Sequence, residues 1–231
     1  MEIRRLSLVS GASEARGLVV VIDVFRAFTT AAYVMANGAE CIHPVGSVEE
    51  AFELRRLHPG WVLMGERGGI RVEGFDYGNS PAEVMGVDFS GRTVVQSTSA
   101  GTRGLVAAVG AEERVLGSFV TAGAIAEYIR RVDPGVVSLV AMGWGGRVAS
   151  VEDELCAEYI EGLLMDEEPD FGEMVERIRG DPQGEKFFDP DQPQFVEGDF
   201  YAAMDLDRFG FALGVVVEGG LLTVRAVLAR R

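Results

Sequence analysis

The run Leu18-Val19-Val20-Val21-Ile22, closed by Asp23, is the feature that most constrains what this chain can fold into. Consecutive apolar residues leave no polar face to turn toward water. The segment therefore predicts a strand covered on both sides, as in sheets flanked by helices. Its surroundings alternate accordingly. Ala27 to Asn37 places Phe28, Ala31, Ala32 and Met35 near helical spacing and meets a natural stop at Gly38. Glu40 to Val45 predicts a second strand, and Ser47 with Glu50 forms a capping box that opens a helix over Val48 to Leu57. This alternation is the signature of an α/β layered fold, α/β/α with a parallel or mixed sheet.

The pattern continues through strands at Trp61 to Gly65, Thr93 to Gln96, Arg114 to Ser118 and Val136 to Met142. Helices are predicted from Ser80-Pro81 onward, over Arg103 to Val109, Ala122 to Arg131 and Val151 to Leu164, the last opened by Ser150 and Asp153. From Asp166 to Gly198, Pro169, Pro182, Pro190 and Pro193 break the pattern; here we expect a long irregular excursion with one helix near Phe171 to Ile178. Phe211 to Val217 and Leu221 to Val227, around Glu218-Gly219-Gly220, predict a hairpin closing a sheet edge. No linker separates clear domains. The expectation is a single domain over 1–231, with two similar βα halves divided near Gly110 conceivable.

With 231 residues, 48% of them hydrophobic, the chain can bury a real core, yet no apolar run approaches the ~18–20 residues of a membrane span. Glu2, Arg4, Arg5, Glu14 and Arg16 interrupt the N-terminal stretch, which lacks the apolar block of a signal peptide, so a cytoplasmic protein is expected. Cys41 and Cys156 match no zinc spacing and are expected to stay reduced. The net charge of −15, without any basic run, argues against nucleic acid as a partner. An anionic small-molecule substrate would instead need local cations or a metal, which makes each arginine position informative. The 21 Lys and Arg residues include a single lysine, Lys186. Homo-oligomerisation is left open.

In α/β sheets ligands collect outside the carboxyl ends of strands, so polar strand exits are the candidate site. The first exit carries Asp23 and Arg26, then Thr29 and Thr30: an acid for a metal or for attack, and a guanidinium for a phosphate. A helix cap beside a surface arginine would explain it as well. The second is Glu66-Arg67-Gly68-Gly69, whose glycines allow close backbone approach, or simply a tight turn with a local ion pair. The third, Ser97-Thr98-Ser99-Ala100-Gly101-Thr102-Arg103, places hydroxyls and backbone N–H groups at a helix start; we read it as an anion cradle closed by Arg103 rather than a plain cap. The fourth is Gly143-Trp144-Gly145-Gly146-Arg147, leading to Glu152, Asp153 and Cys156. Acids in a first helical turn usually serve the helix dipole, and Asp199, Asp205 and Asp207 read as a solvated acidic group. Walker, dinucleotide and D-x-D phosphatase patterns are absent, and His43 and His58 fit no metal motif.

Taken together these stretches resemble the 2-phosphosulfolactate phosphatase family of the coenzyme M pathway. The resemblance runs through Val21-Ile22-Asp23-Val24-Phe25-Arg26-Ala27, Gly65 to Gly69, Gly74-Phe75-Asp76-Tyr77-Gly78-Asn79-Ser80-Pro81, Ser99 to Arg103 and Ser150-Val151-Glu152-Asp153, over roughly residues 18–160. It implies an α/β fold, magnesium dependence and hydrolysis of 2-phosphosulfolactate to 3-sulfolactate and phosphate. Within the matched motifs, Asp23, Arg26, Glu66, Arg67 and Asp153 are the expected catalytic residues, with Asp23 and Asp153 as Mg²⁺ ligands and Glu66 and Glu152 in reserve. Asn79, Ser99, Gly101, Thr102 and Arg103 are expected to bind substrate. The family pattern has an asparagine where Ala100 stands, which puts the substrate in question more than the reaction class. A phosphatase for another 2-phospho acid, or a non-catalytic anion-binding regulatory protein, are the alternatives.

Overall fold

The computed structural model describes residues 1–227. Among them the strands are β1 (Glu2–Ser7), β2 (Gly17–Ile22), β3 (Cys41–Pro44), β4 (Val62–Arg67), β5 (Ile70–Arg71), β6 (Thr93–Ser97), β7 (Ala111–Gly117), β8 (Val136–Ala141), β9 (Leu213–Glu218) and β10 (Leu221–Ala226). The helices are α1 (Leu8–Glu14), α2 (Ala27–Ala36), α3 (Val48–Leu57), α4 (Pro81–Val84), α5 (Gly101–Ala107), α6 (Ala122–Val132), α7 (Val151–Leu164), α8 (Phe171–Arg179), α9 (Pro182–Glu185) and α10 (Glu197–Ala203). The strands form one mixed sheet in the order β1-β8-β2-β7-β9-β10-β3-β6-β4-β5.

The predicted two-sided burial of β2 holds: Leu18, Val20 and Ile22 enter the cluster under α6 and α7, while Val19 and Val21 enter the one around α2 and α5. Two groups of parallel strands, β1-β8-β2-β7 and β3-β6-β4, flank the β9–β10 hairpin. That hairpin lies inside the sheet, not at an edge as its sequence suggests. It pairs antiparallel with β7 on one side and β3 on the other. A hairpin reads its own turn locally but carries no record of its outer neighbours. The successive antiparallel steps β7-β9, β9-β10 and β10-β3 reverse the chain, so the two parallel groups run in opposite directions.

Opposed groups would keep their carboxyl ends apart if the sheet were flat, and the helices between them explain why the ends meet. α2 leads from β2 to β3 and α5 from β6 to β7, so each crosses from one group to the other. Ala27 through Val34 are buried all around, as in a helix covered on every side. Phe28, Ala31 and Leu105 share a cluster with Val19 and Val21 of one group and Ile42, Val62 and Val94 of the other. Both groups thus wrap the same helical layer. The capping box at α3 is present, with Ser47 Oγ accepting from Glu50 N at 3.1 Å, although Glu50 reaches back to Gly46 N. The N-terminal β1 and α1 had no clear periodic signal, and the 166–198 stretch holds α8 and α9 instead of one helix.

Close backbone approach is most demanding at Gly65 in β4. Its φ is +151°, and an added Cβ would lie 2.0 Å from Ser97 O, a backbone atom that cannot swing away. Gly65→Ala is expected to lower unfolding free energy by ~2–4 kcal/mol through combined overpacking and backbone strain. A urea midpoint shifted down at unchanged slope is the measurement that checks it.

Candidate active site

Strand exits bring their carboxylates to backbone amides of neighbouring exits. Asp23, one residue past β2, accepts from Ala27 N at 3.0 Å with Oδ1 and from Gly101 N at 2.8 Å with Oδ2. The first bond caps its own helix; the second ties the exit of β2 to that of β6. Glu66, at the end of β4, accepts from Ser99 N at 2.8 Å and from Gly69 N at 2.7 Å, and Ser99 Oγ donates to it at 3.1 Å. Asp153 accepts from Val24 N and Gly143 N, both at 2.8 Å, joining the exits of β2 and β8. Three carboxylates therefore connect all the predicted exits. All are nearly excluded from solvent.

These exits surround a cavity of ≈ 840 Å³ lined by Asp23, Arg26, Glu66, Arg67, Asn79, Ser99 and Arg103 on its polar side. Val48, Trp144, Val148 and Phe195 supply apolar walls, and Arg147 stands at the rim. Asn79 is buried with its Oδ1 unpartnered. Asp153 and Glu152 lie outside the lining, Asp153 directly behind Gly143. Gly101 and Thr102 also fall outside it. Thr102 Oγ1 accepts from Thr98 N at 2.9 Å and Thr102 N donates back to Thr98 Oγ1, so this pair shapes the turn. The backbone amides read from sequence as an anion cradle point mostly at protein carboxylates: Ser99 N at Glu66 and Gly101 N at Asp23. Ala100, at the start of α5, offers no side-chain cap.

The arginines divide by task. Arg26 is buried, donating to Asp199 Oδ2 at 2.6 Å, Gln194 O at 3.0 Å and Gly69 O at 2.9 Å. Asp199 is itself fully buried and accepts from Ser80 Oγ and Ala82 N, which corrects its reading as solvated surface. Local sequence cannot show that a distant arginine will cover it. Arg67 donates to Ser97 O and Oγ, fastening β4 to β6. Arg103 makes only a long 3.4 Å bond to Ser99 O, which leaves most of its fork available to a ligand.

Burial dominates the acid–base character of the floor. It raises Asp23 to about 6, partly offset by the Ala27 amide and reinforced by the charge of Glu66. Glu152 is pushed up to about 7 by burial, with its Oε2 lacking any partner. Asp153 is raised well above the carboxylate range by burial and by the charges of Glu152 and Asp23. The single lysine belongs to no motif of the sequence. Lys186 is 7% exposed, with Nζ 4.3 Å from the Trp144 ring centroid and 4.7 Å from that of Phe195. Burial lowers it to about 8 against the pull of Glu152. Its signal was its uniqueness; the irregular stretch around it concealed its position. Cys41 and Cys156 are both buried free thiols, and His58 stacks on Trp61.

An α/β protein with buried acids at its strand exits and the available guanidinium of Arg103 at the cavity wall is equipped to hold a phosphorylated anion. The chain belongs to the 2-phosphosulpholactate phosphatase family, whose model matches residues 6–178. It is 46% identical over 149 residues to a probable 2-phosphosulfolactate phosphatase of Carboxydothermus hydrogenoformans, a match covering 64% of this chain and 61% of that protein. A protein of the same description from Bacillus subtilis is 33% identical over 213 residues, covering 90% of this chain and 91% of the relative. One from Caldicellulosiruptor saccharolyticus is 41% identical over 155 residues, covering 65% and 64%.

Raised carboxylates make stability depend on pH. Folded Glu152 titrates near 7 and Asp23 near 6, above their ordinary values of 4.5 and 3.8, so the native state holds protons that the unfolded chain has released. Stability contributed by these groups is present below about pH 4 and is lost as pH rises toward 7. In chelator, Glu152→Gln is expected to raise Tm at pH 7.5 and flatten its fall between pH 5 and 7.5, a gain on the order of 3 kcal/mol. Calorimetry across that window checks it. Asp199→Ala is expected to cost ~3–5 kcal/mol, because it strands the Arg26 charge in the interior. Replacing both partners, as Arg26→Met with Asp199→Leu, is expected to recover much of that loss in urea titrations.

Proposed function

We propose that this chain is a magnesium-dependent phosphatase that hydrolyses 2-phosphosulfolactate to 3-sulfolactate and phosphate. The observation that carries the reading is Asp23, held rigid by two amides on the cavity floor, in a cavity whose wall bears the uncommitted fork of Arg103. Membership of the 2-phosphosulpholactate phosphatase family supports this choice of substrate. A cytoplasmic setting and a place in coenzyme M biosynthesis belong to the same proposal.

Mg²⁺ takes oxygen ligands and keeps several waters, so one or two carboxylates suffice to hold it. Among the described residues no group of three or more His, Cys, Asp or Glu side chains is arranged as a metal site. The donors present fit the looser requirement. Asp23 would hold the ion from the cavity, Glu66 is the other carboxylate in the same wall, and Asp153 braces the Val24 and Gly143 amides behind it. When bound, the ion offsets phosphate charge and lowers the pKa of water. The protein's own groups do the rest. Arg103 can take two phosphate or sulfonate oxygens in its fork. Ser99, held by Glu66 through both its amide and its hydroxyl, fixes the turn that carries Arg103. Arg67 locks β4 against β6 and keeps Glu66 in place. Preorganised charges in a buried site stabilise a transferring phosphoryl group without having to reorganise during the step.

A second reading is favoured by the size of the cavity. At ≈ 840 Å³, with Val48, Trp144, Val148 and Phe195 among its walls, it has room for a 2-phospho acid bulkier than a three-carbon substrate. A panel of phosphate esters with Mg²⁺ separates the two by kcat/KM. In either case chelation is expected to abolish turnover and Mg²⁺ to restore it. Asp23→Asn is expected to raise the Mg²⁺ concentration for half-maximal rate at least tenfold. Full activity in excess chelator, or no turnover of any ester, would overturn the reading.

A further inference from the structure

The stretch between α8 and α10 lies beyond the residues matched by the family model, and its sequence reads as irregular. In the structure it contributes Phe195 to the wall of the candidate site and packs Lys186 and Phe187 behind that ring. Phe195 lines the cavity and packs so closely on Gly69 that a Cβ there would lie 2.5 Å from its ring. The Arg26 guanidinium lies 5.0 Å from the centroid of that ring while bonding Gln194 O and Asp199. Lys186, on the same stretch, is lodged among Trp144, Phe187 and Phe195 and spends one N–H on Gln183 Oε1 at 2.6 Å. Among the described residues it has no carboxylate within 4 Å.

A buried ammonium is costly, and aromatic faces with one neutral acceptor recover only part of the lost hydration. A position like this needs a further electrostatic reason. Trp144 directly follows Gly143, whose amide is held by Asp153, so the cage is built on the loop that anchors the acid cluster. Trp144 and Phe195, two of the rings that hold its ammonium, both line the cavity that Asp23 lines, and Asp23, Glu152 and Asp153 bear on the Lys186 charge. In their ionised forms these acids repel one another and any phosphate dianion that enters. Arg26 is already paired with Asp199, which leaves Lys186, among the described residues, as the buried cation free to oppose them.

We propose that Lys186 is a positioning residue of this site, a fixed cation caged by Trp144, Phe187 and Phe195 that offsets the buried acids and admits a phosphate dianion beside them. The inference rests on the phosphatase reading for its chemistry, but anion binding tests it without turnover. With Mg²⁺ held constant, Lys186→Met is expected to weaken binding of inorganic phosphate at least tenfold in calorimetry, while Tm stays at or above that of the parent. If an ester is turned over, kcat/KM falls by a similar factor. Lys186→Cys treated with 2-bromoethylamine restores an ammonium at that position. Its phosphate affinity should recover to within about threefold of the parent, with Lys186→Met treated alongside to account for Cys41 and Cys156. Unchanged phosphate affinity in Lys186→Met, or complete aminoethylation confirmed by mass with no recovery, overturns the proposal. An enzyme that binds phosphate through Lys186 but hydrolyses no ester would sink the phosphatase reading and leave this one standing.

Discussion

Carboxylates accepting backbone amides from neighbouring loops hold the candidate active site together. Asp23 bonds Gly101 N, Glu66 bonds Ser99 N, and Asp153 bonds Val24 N and Gly143 N, so each acid bridges two strand exits. Such charge-assisted bonds are shorter and stronger than neutral ones, and in a dry interior they are stronger still. They also impose a burden. The same burial that strengthens the bonds lifts Asp23, Glu152 and Asp153 out of the ordinary carboxylate range. The site is built from acids that the fold needs as staples and that the interior resists as charges.

Convergence of these exits depends on the helical layer shared by the two parallel strand groups. The β9–β10 hairpin reverses direction between the groups, and α2 and α5 cross from one to the other through a common core. The exits of β2 and β8 from one group thereby meet those of β4 and β6 from the other. The rule that parallel strands present their carboxyl ends on one side applies within each group. Between the groups, convergence comes from packing around α2 and α5. Gly104 shows how tight that packing is, since a Cβ there would fall 2.4 Å from Met142 Sδ.

The polar residues at the exits separate into those that build and those that remain available. Thr102 and Gly101 shape the turn before α5, Arg67 clasps Ser97, and Arg26 is spent on Asp199. Arg103 and the orphan oxygens of Asn79 and Glu152 remain incompletely satisfied. Buried polar atoms without partners are few in native proteins, and of these two Asn79 Oδ1 belongs to a residue of the cavity wall. That division is what turns a set of motifs into a site with a direction of approach.

The α/β class, the two-sided burial of β2, most helix boundaries and the polar exits that meet at the cavity were legible in the sequence, because they depend on short-range periodicity, caps and turns. α7 begins at Val151 and ends at Leu164 as its pattern predicts, and Ser47 and Ser80 cap the helices they precede. The hairpin's interior place, the reversal between strand groups, the Arg26–Asp199 pair and the arrival of Lys186 beside Trp144 were decided by tertiary structure alone. Each joins residues far apart in the chain, such as Arg26 and Asp199, whose local surroundings predict a cap and a solvated acid. Burial, which gives these groups their energies and their altered proton affinities, is a property of the assembled fold. A single sequence encodes that property without displaying it.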